Sequence, residues 1–172
     1  MVFTVAVSAQ TRYYTKNGNI RFESKAPLED IEAVNKTVTC VLDKNSGQMQ
    51  FSVVMRGFEF RKALMQEHFN ENYVESHKYP KATFSGQITN LSEMDFTKPG
   101  KYTAKVKGSL VLHGVTRSID GVGQINVDDE IILAISEFNI KLSDYSISIP
   151  AIVKDKVSNN VRVFIECRLT PL

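Results

Sequence analysis

The chain has 172 residues, 42% of them apolar and 23% charged, which is one ordinary domain with enough apolar residues to bury a core without disulfide or metal staples. A formal net charge of +2, with no run of lysine or arginine, lacks the electrostatic footprint of a nucleic-acid binder. No apolar stretch approaches the roughly 18 residues that would cross a bilayer as a helix, so a soluble single domain is expected.

Val2–Val7 (VFTVAV) is a short apolar run, and Val7-Ser8-Ala9 before Gln10 resembles the end of a secretory signal. A first strand with Phe3, Val5 and Val7 on one face is the alternative. Residues 1–9 are read as a signal remnant and residues 10–172 as the domain. From there period-two alternation dominates, the mark of strands with one buried face. Arg12–Phe22 opens the series, and Leu28–Ala33 (LEDIEA) reads as a turn of helix. Val34–Leu42 alternates and ends in the turn Asp43-Lys44-Asn45-Ser46-Gly47. Met49, Phe51, Val53 and Met55 then share a face.

Arg61–Phe69 (RKALMQEHF) breaks the rhythm. Its residues are good helix formers, and Leu64/His68 and Met65/Phe69 stack at i, i+4, which predicts a short helix with Asn70–Tyr79 as the loop after it. Ala82, Phe84 and Ile88 mark the next strand, and Pro99-Gly100 closes a loop. The clearest strand follows, with Tyr102, Ala104, Val106, Leu110 and Leu112 opposite Thr103, Lys105, Lys107 and Ser109. After a His113-Gly114 turn come Ile119, Ile125 and Val127, then Ile131, Leu133 and Ile135. Pro150 breaks the chain before a last strand bearing Val161, Val163, Ile165, Cys167 and Leu169.

About eight strands joined by short turns predict an antiparallel sheet, closed as a barrel or packed as a sandwich. Gly57, Gly86, Gly108, Gly121 and Gly123 all fall in phase with apolar faces. Glycine weakens a strand unless the sheet bends there or something approaches closely. Barrel closure supplies such bends, and missing inner side chains leave space. The expected class is therefore all-β: an eight-stranded antiparallel barrel, partly unfilled, with one short helix inserted after the third strand.

Reactive motifs are missing. His68 and His77 are nine residues apart, no HExxH is present, and His113 sits in a turn, so no metal site is expected. There is no GxSxG elbow or Walker loop, and Gly121-Val122-Gly123 lacks the third glycine of a dinucleotide fingerprint. The chain reads as a protein that is not an enzyme and takes no cofactor. Cys40 would lie on the second strand and Cys167 on the last, with the first between them. Two strand spacings separate their backbones by about 10 Å, so both are expected as free thiols.

What remains is the interior. The third strand would offer Phe51, Val53 and Met55 to it, the fourth Phe84 and Ile88, and the fifth Val106, Gly108, Leu110 and Leu112. Ile119, Leu133, Ile135, Val163 and Ile165 would complete the wall. Small eight-stranded barrels either fill with side chains or hold one small ligand, and this wall would admit an apolar, elongated one.

Three stretches resemble the bacterial YceI-like family of lipocalin-like proteins. HFNENYVESHKYPKATFSG (His68–Gly86) is similar to the family's helix, aromatic loop and Tyr/Phe-Pro-x-Ala-x-Phe strand. GSLVLHGVTRSI (Gly108–Ile119) is similar to its Leu-x-Leu-[His/Asn]-Gly-Val-Thr-[Lys/Arg] hairpin. FNIKLSDYSI (Phe138–Ile147), followed by VRVFIECRL, is similar to its closing pair. The resemblance runs from about Arg12 to the C-terminus. It implies a periplasmic or secreted barrel holding a polyisoprenoid chain, such as a quinone tail or a prenyl phosphate. A phosphate head would need cations at the mouth, and Arg61, Lys78 and Lys81 flank the helical excursion, although ordinary surface charge explains them equally well. At its start the chain departs from the family, with YYTKNGNIRFESKAPLEDIEA in place of the usual Asp-x-x-His.

The expected function is thus a carrier or sequestering protein for an isoprenoid lipid. The alternative is a filled barrel acting as a scaffold through residues 61–79, and a lipid enzyme using His113 or His77 is a weaker third. A second copy of the chain stays open as a partner, giving a homodimer.

Overall fold

Wherever the alternation holds, the chain extends. The computed structural model describes residues 10–172, so the apolar run Val2–Val7 and the cut ahead of Gln10 lie outside the described residues. The strands are β1 (Arg12–Lys25), β2 (Asp30–Asp43), β3 (Gln48–Val54), a two-residue β4 (Glu59–Phe60), β5 (Lys81–Ile88), β6 (Gly100–Leu112), β7 (Val115–Asp128), β8 (Ile131–Lys141) and β9 (Asn160–Pro171). Each pairs antiparallel with its neighbour, and β1 pairs with both β2 and β9, so eight long strands close an up-and-down barrel. Closure pairs every long strand with a neighbour on each side along at least part of its length.

The helical excursion is α1 (Ala63–His68), continued by a π turn at Phe69–Tyr73. It lies after the third long strand, as the residue pattern predicts. Leu28–Ala33, in contrast, forms no helix. Asp30 already begins β2, and the hairpin rungs Lys25–Asp30 and Ser24–Ile31 take up its backbone groups. A single helical turn offers too few hydrogen bonds to compete with that ladder.

The inward phase of β8 also differs from the predicted one. Ile131–Ile135 (IILAI) is apolar at every position of both phases, so alternation could not decide the face. The tight Asp129-Glu130 turn pairs Val127 with Ile132, and directly opposed residues share a face. Ile132 and Ala134 therefore point inward and are buried, while Leu133 is only half-buried.

The β2–β3 seam is interrupted by a 3-10 turn at Met55–Gly57, so Gly57 lies outside any strand. Buried Asn35 repairs that seam. Its Nδ2 donates to the Val54 carbonyl at 2.9 Å, and its Oδ1 accepts from Thr37 N at 3.0 Å and Thr37 Oγ1 at 2.9 Å. The short β4 then pairs with Ala33 and Val34 to cover the rest.

Cys40 and Cys167 are free, buried, and separated by β1, as expected. Their side chains nonetheless lean toward each other over Gly18, whose missing Cβ would fall 2.6 Å from Cys167 Sγ. The neighbouring Cys167 thiol and burial push the Cys40 thiol up, out of the reactive range.

The interior has two halves. At the end away from α1, Leu42, Ile88, Val127, Ile132 and Leu169 pack with Tyr13, and the loop residues Leu91, Met94 and Phe96 close over them. At the α1 end, Phe22, Phe58, Phe60 and Phe69 meet ring to ring, with centroids 5.0–5.8 Å apart. These rings pin α1 across the barrel, each aromatic pair adding about 0.5–1.5 kcal/mol beyond its buried area.

Candidate functional site

Between the packed end and the phenylalanine cap lies a cavity of about 810 Å³. That volume falls within the range typical of small-molecule sites. The barrel is therefore not filled by its own side chains. Met49, Ala104, Ile125 and Ala134 form the floor, β3, β6 and β9 contribute alternate, inward-facing residues to the wall, and β5 adds Ala82, Thr83 and Phe84. The cap is Phe22, Phe58, Phe60 and Phe69 with Leu64, Met65 and Tyr73, and Tyr145, Val153 and Val157 complete the rim from the last long loop.

Charge is confined to the rim. Glu29 and Lys62 pair at 3.2 Å beside α1, and Arg117, Asp120, Lys141, Asp144 and Lys156 border the opposite side. Burial pushes the phenols of Tyr73 and Tyr145 up, which keeps both neutral at the cavity edge. An interior like this has no nucleophile or paired carboxylates at its floor. It can take an apolar chain and leave a polar end at the rim.

Of the residues predicted to face the interior, Phe51 and Val53 on β3, Met55 in the turn after it, Phe84 on β5, and Val106, Leu110 and Leu112 on β6 line the cavity. Ile119, Ile135, Val163 and Ile165 also line it. Ile88 does not, because it is sealed in the packed end, and neither does half-buried Leu133. Gly108 lies off the lining for a different reason. It pairs with Gly86 across β5 and β6, and the Phe84 ring lies over both glycines. A Cβ on Gly86 would come within 2.4 Å of Phe84 Cζ, and one on Gly108 within 2.6 Å. The space those glycines leave is occupied by a phenyl ring. Gly121 differs, because a Cβ there meets nothing within 4 Å among the described residues.

The three predicted cations are exposed and lie outside the cavity lining. Lys78 stacks over the Tyr79 ring at 5.1 Å, while Arg61 and Lys81 sit where the chain enters and leaves the excursion. The cations that do reach the rim are Lys62, Arg117, Lys141 and Lys156. The four capping phenylalanines escaped the sequence reading. The Met65/Phe69 stack on the predicted helix was the one local sign of them.

A family model described as the YceI-like domain matches residues 9–169. No curated protein matches the sequence. Among solved structures, a polyisoprenoid binding domain from Saccharophagus degradans implicated in plant cell wall breakdown superposes with a TM-score of 0.82 at 15% identity, covering 95% of this chain and 99% of its own. BcnA from Burkholderia cenocepacia gives 0.72 at 15% identity, covering 89% and 96%. The YceI protein of Campylobacter jejuni gives 0.57 at 15% identity, covering 98% and 88%. At such identity these likenesses establish the shared fold.

Proposed function

The chain belongs to the YceI-like domain family, and from that premise we propose that its barrel binds an elongated apolar isoprenoid lipid, as a carrier or sequestering protein. The observation that carries this reading is the unfilled cavity, whose floor and walls are almost wholly aliphatic and phenylalanine. Each methylene moved from water into such a site contributes about 0.8 kcal/mol, so chain length rather than head group would dominate affinity. The polyisoprenoid-binding neighbour supports the same class of ligand. The rim charges would meet the polar end, whether quinone or phosphate. The apolar run before the domain, ending in Val7-Ser8-Ala9, supports a periplasmic or secreted setting.

The test is native mass spectrometry of protein purified without detergent, followed by titration with farnesol. A co-purified prenyl mass, or saturable uptake of farnesol, is expected. A bare protein that takes up no farnesol would overturn the reading. The filled-barrel scaffold is disfavoured by the cavity itself, since it requires an interior packed throughout.

A further inference from the structure

The barrel wall is open on one side. β7 stays paired with β6 along its whole length, from Val115–Leu112 to Val127–Gly100. Its pairing with β8 runs only from Asp128–Ile131 to Gly123–Ser136 and then stops. Continued in register, Gly121 would face Phe138 and Ile119 would face Ile140, yet none of those rungs forms. β8 meanwhile remains paired with β9 as far as Lys141–Asn160. The two strands therefore part company below Gly123 and Ser136.

The cavity runs into this gap. A strand in a closed wall shows alternate residues to the interior, as β6 and β9 do. β7 instead borders the cavity with every residue from Arg117 to Ile125, and β8 does so with Ala134–Ser136 and again with Phe138–Lys141. Along the unpaired lengths, Arg117–Val122 and Phe138–Lys141, outward-facing residues border the space as well as inward-facing ones, as expected where no neighbouring strand covers them. Among the described residues, no side chain or added strand bridges the middle of the edge as Asn35 and β4 bridge the β2–β3 seam. Ser136 Oγ donates to the Val122 carbonyl at 3.1 Å where the strands diverge, and Arg117 Nε donates to the Asp144 carbonyl at 3.0 Å near the far end.

We propose that the gap between residues 118–122 of β7 and 137–141 of β8 is a lateral portal through which the lipid chain enters and leaves. This rests on the lipid-binding reading above. The lips are graded in the right sense. Ile119, Phe138 and Ile140 are the half-buried inner residues, while Ser118, Asp120, Asn139 and Lys141 are exposed outside. An isoprenoid chain can lie along the inner lips while its polar end stays with Arg117 and Lys141. The exposed lip also keeps the unpaired backbone groups in water, so the gap carries no desolvation cost. A peptide strand added to the free edge is the competing occupant, but it would leave the apolar cavity behind it empty.

Gly121→Trp tests the portal, because a side chain there grows into open space beside the gap. The probe is dansyl-farnesol, with association and dissociation followed by stopped flow. A portal predicts that association and dissociation both slow by about tenfold or more, since a gate scales the two together, whereas a side chain that only fills cavity space speeds dissociation. Gly121→Ala should leave both rates near the wild type, and Gly121→Phe serves if the tryptophan variant melts early. Unchanged rates in Gly121→Trp would mean that the chain enters past α1, and the portal would be discarded. A weakened Kd with an unaltered association rate would make Gly121 ordinary cavity wall, which also overturns the proposal. Wild-type protein that binds no probe would instead bring down the lipid reading itself.

Discussion

Glu75 Oε2 lies 2.6 Å from His113 Nε2, tying the loop after α1 to the turn between β6 and β7. The other ring nitrogen, Nδ1, is 3.0 Å from the Tyr145 carbonyl, and the Tyr79 ring packs edge-on against the imidazole at 4.7 Å. Both ring nitrogens thus face oxygen atoms, one of a carboxylate and one of a backbone carbonyl. Three segments around the cavity rim are thereby clamped at one residue. Glu75, His113 and the neighbouring Ser146 all have positive φ, at 46°, 51° and 55°. Non-glycine residues hold that conformation where surrounding contacts enforce it.

The clamp has a pH signature. The hydrogen bond from His113 holds the Glu75 carboxyl below the usual carboxylate range. A folded-state pKa that is depressed contributes stability above the unfolded value, and that contribution is lost as pH falls through the folded one. Glu75→Gln should therefore flatten the acid limb of stability, with its melting temperature falling less than the wild type's between about pH 5 and pH 3. Parallel acid limbs for the two proteins would mean that the pair contributes nothing on folding.

At position 113, backbone and side chain can be separated. Asparagine tolerates the left-handed region, whereas alanine there costs about 1–2 kcal/mol. His113→Asn should keep the hairpin and lose only the clamp, and His113→Ala should be less stable than His113→Asn by about that amount. Chemical denaturation of both variants makes the comparison, and equal midpoints would remove the strain argument.

Gly108 is a packing position. A Cβ there would meet the Ser85 carbonyl oxygen at 2.5 Å and Phe84 Cζ at 2.6 Å. Because one of these is backbone, even Gly108→Ala should cost on the order of 1–3 kcal/mol, the usual range for overpacking. Urea midpoints check this. An alanine variant as stable as the parent would show that β5 and the Phe84 ring yield freely.

Asn35 is fully buried and serves three polar groups at the interrupted β2–β3 seam. Asn35→Leu keeps the branched skeleton but leaves the Val54 carbonyl and the Thr37 amide unpaired. Each buried group stranded in this way costs about 1–3 kcal/mol. The variant should unfold at clearly lower denaturant, and amides 53–58 should lose protection from hydrogen exchange first. Wild-type protection there would show that water or a shifted backbone replaces the amide.

Alternation along the chain already determined that this is an all-β protein, placed the strands, and set the inward phase of β3, β5, β6 and β9, because a strand's two faces follow from spacing alone. The i, i+4 stacks likewise located α1. Spacing says which side chains share a face but not which strand lies opposite or what fills the space between. Only the tertiary structure decided that Phe84 covers Gly86 and Gly108 while Gly121 stays open. Only the turn at Asp129-Glu130 settled the phase of β8. The rim cations are Lys62, Arg117, Lys141 and Lys156, rather than Arg61, Lys78 and Lys81, because barrel closure gathers residues distant in sequence. The parting of β7 from β8 was equally invisible, since both segments read as good strands and their separation is a property of the pair.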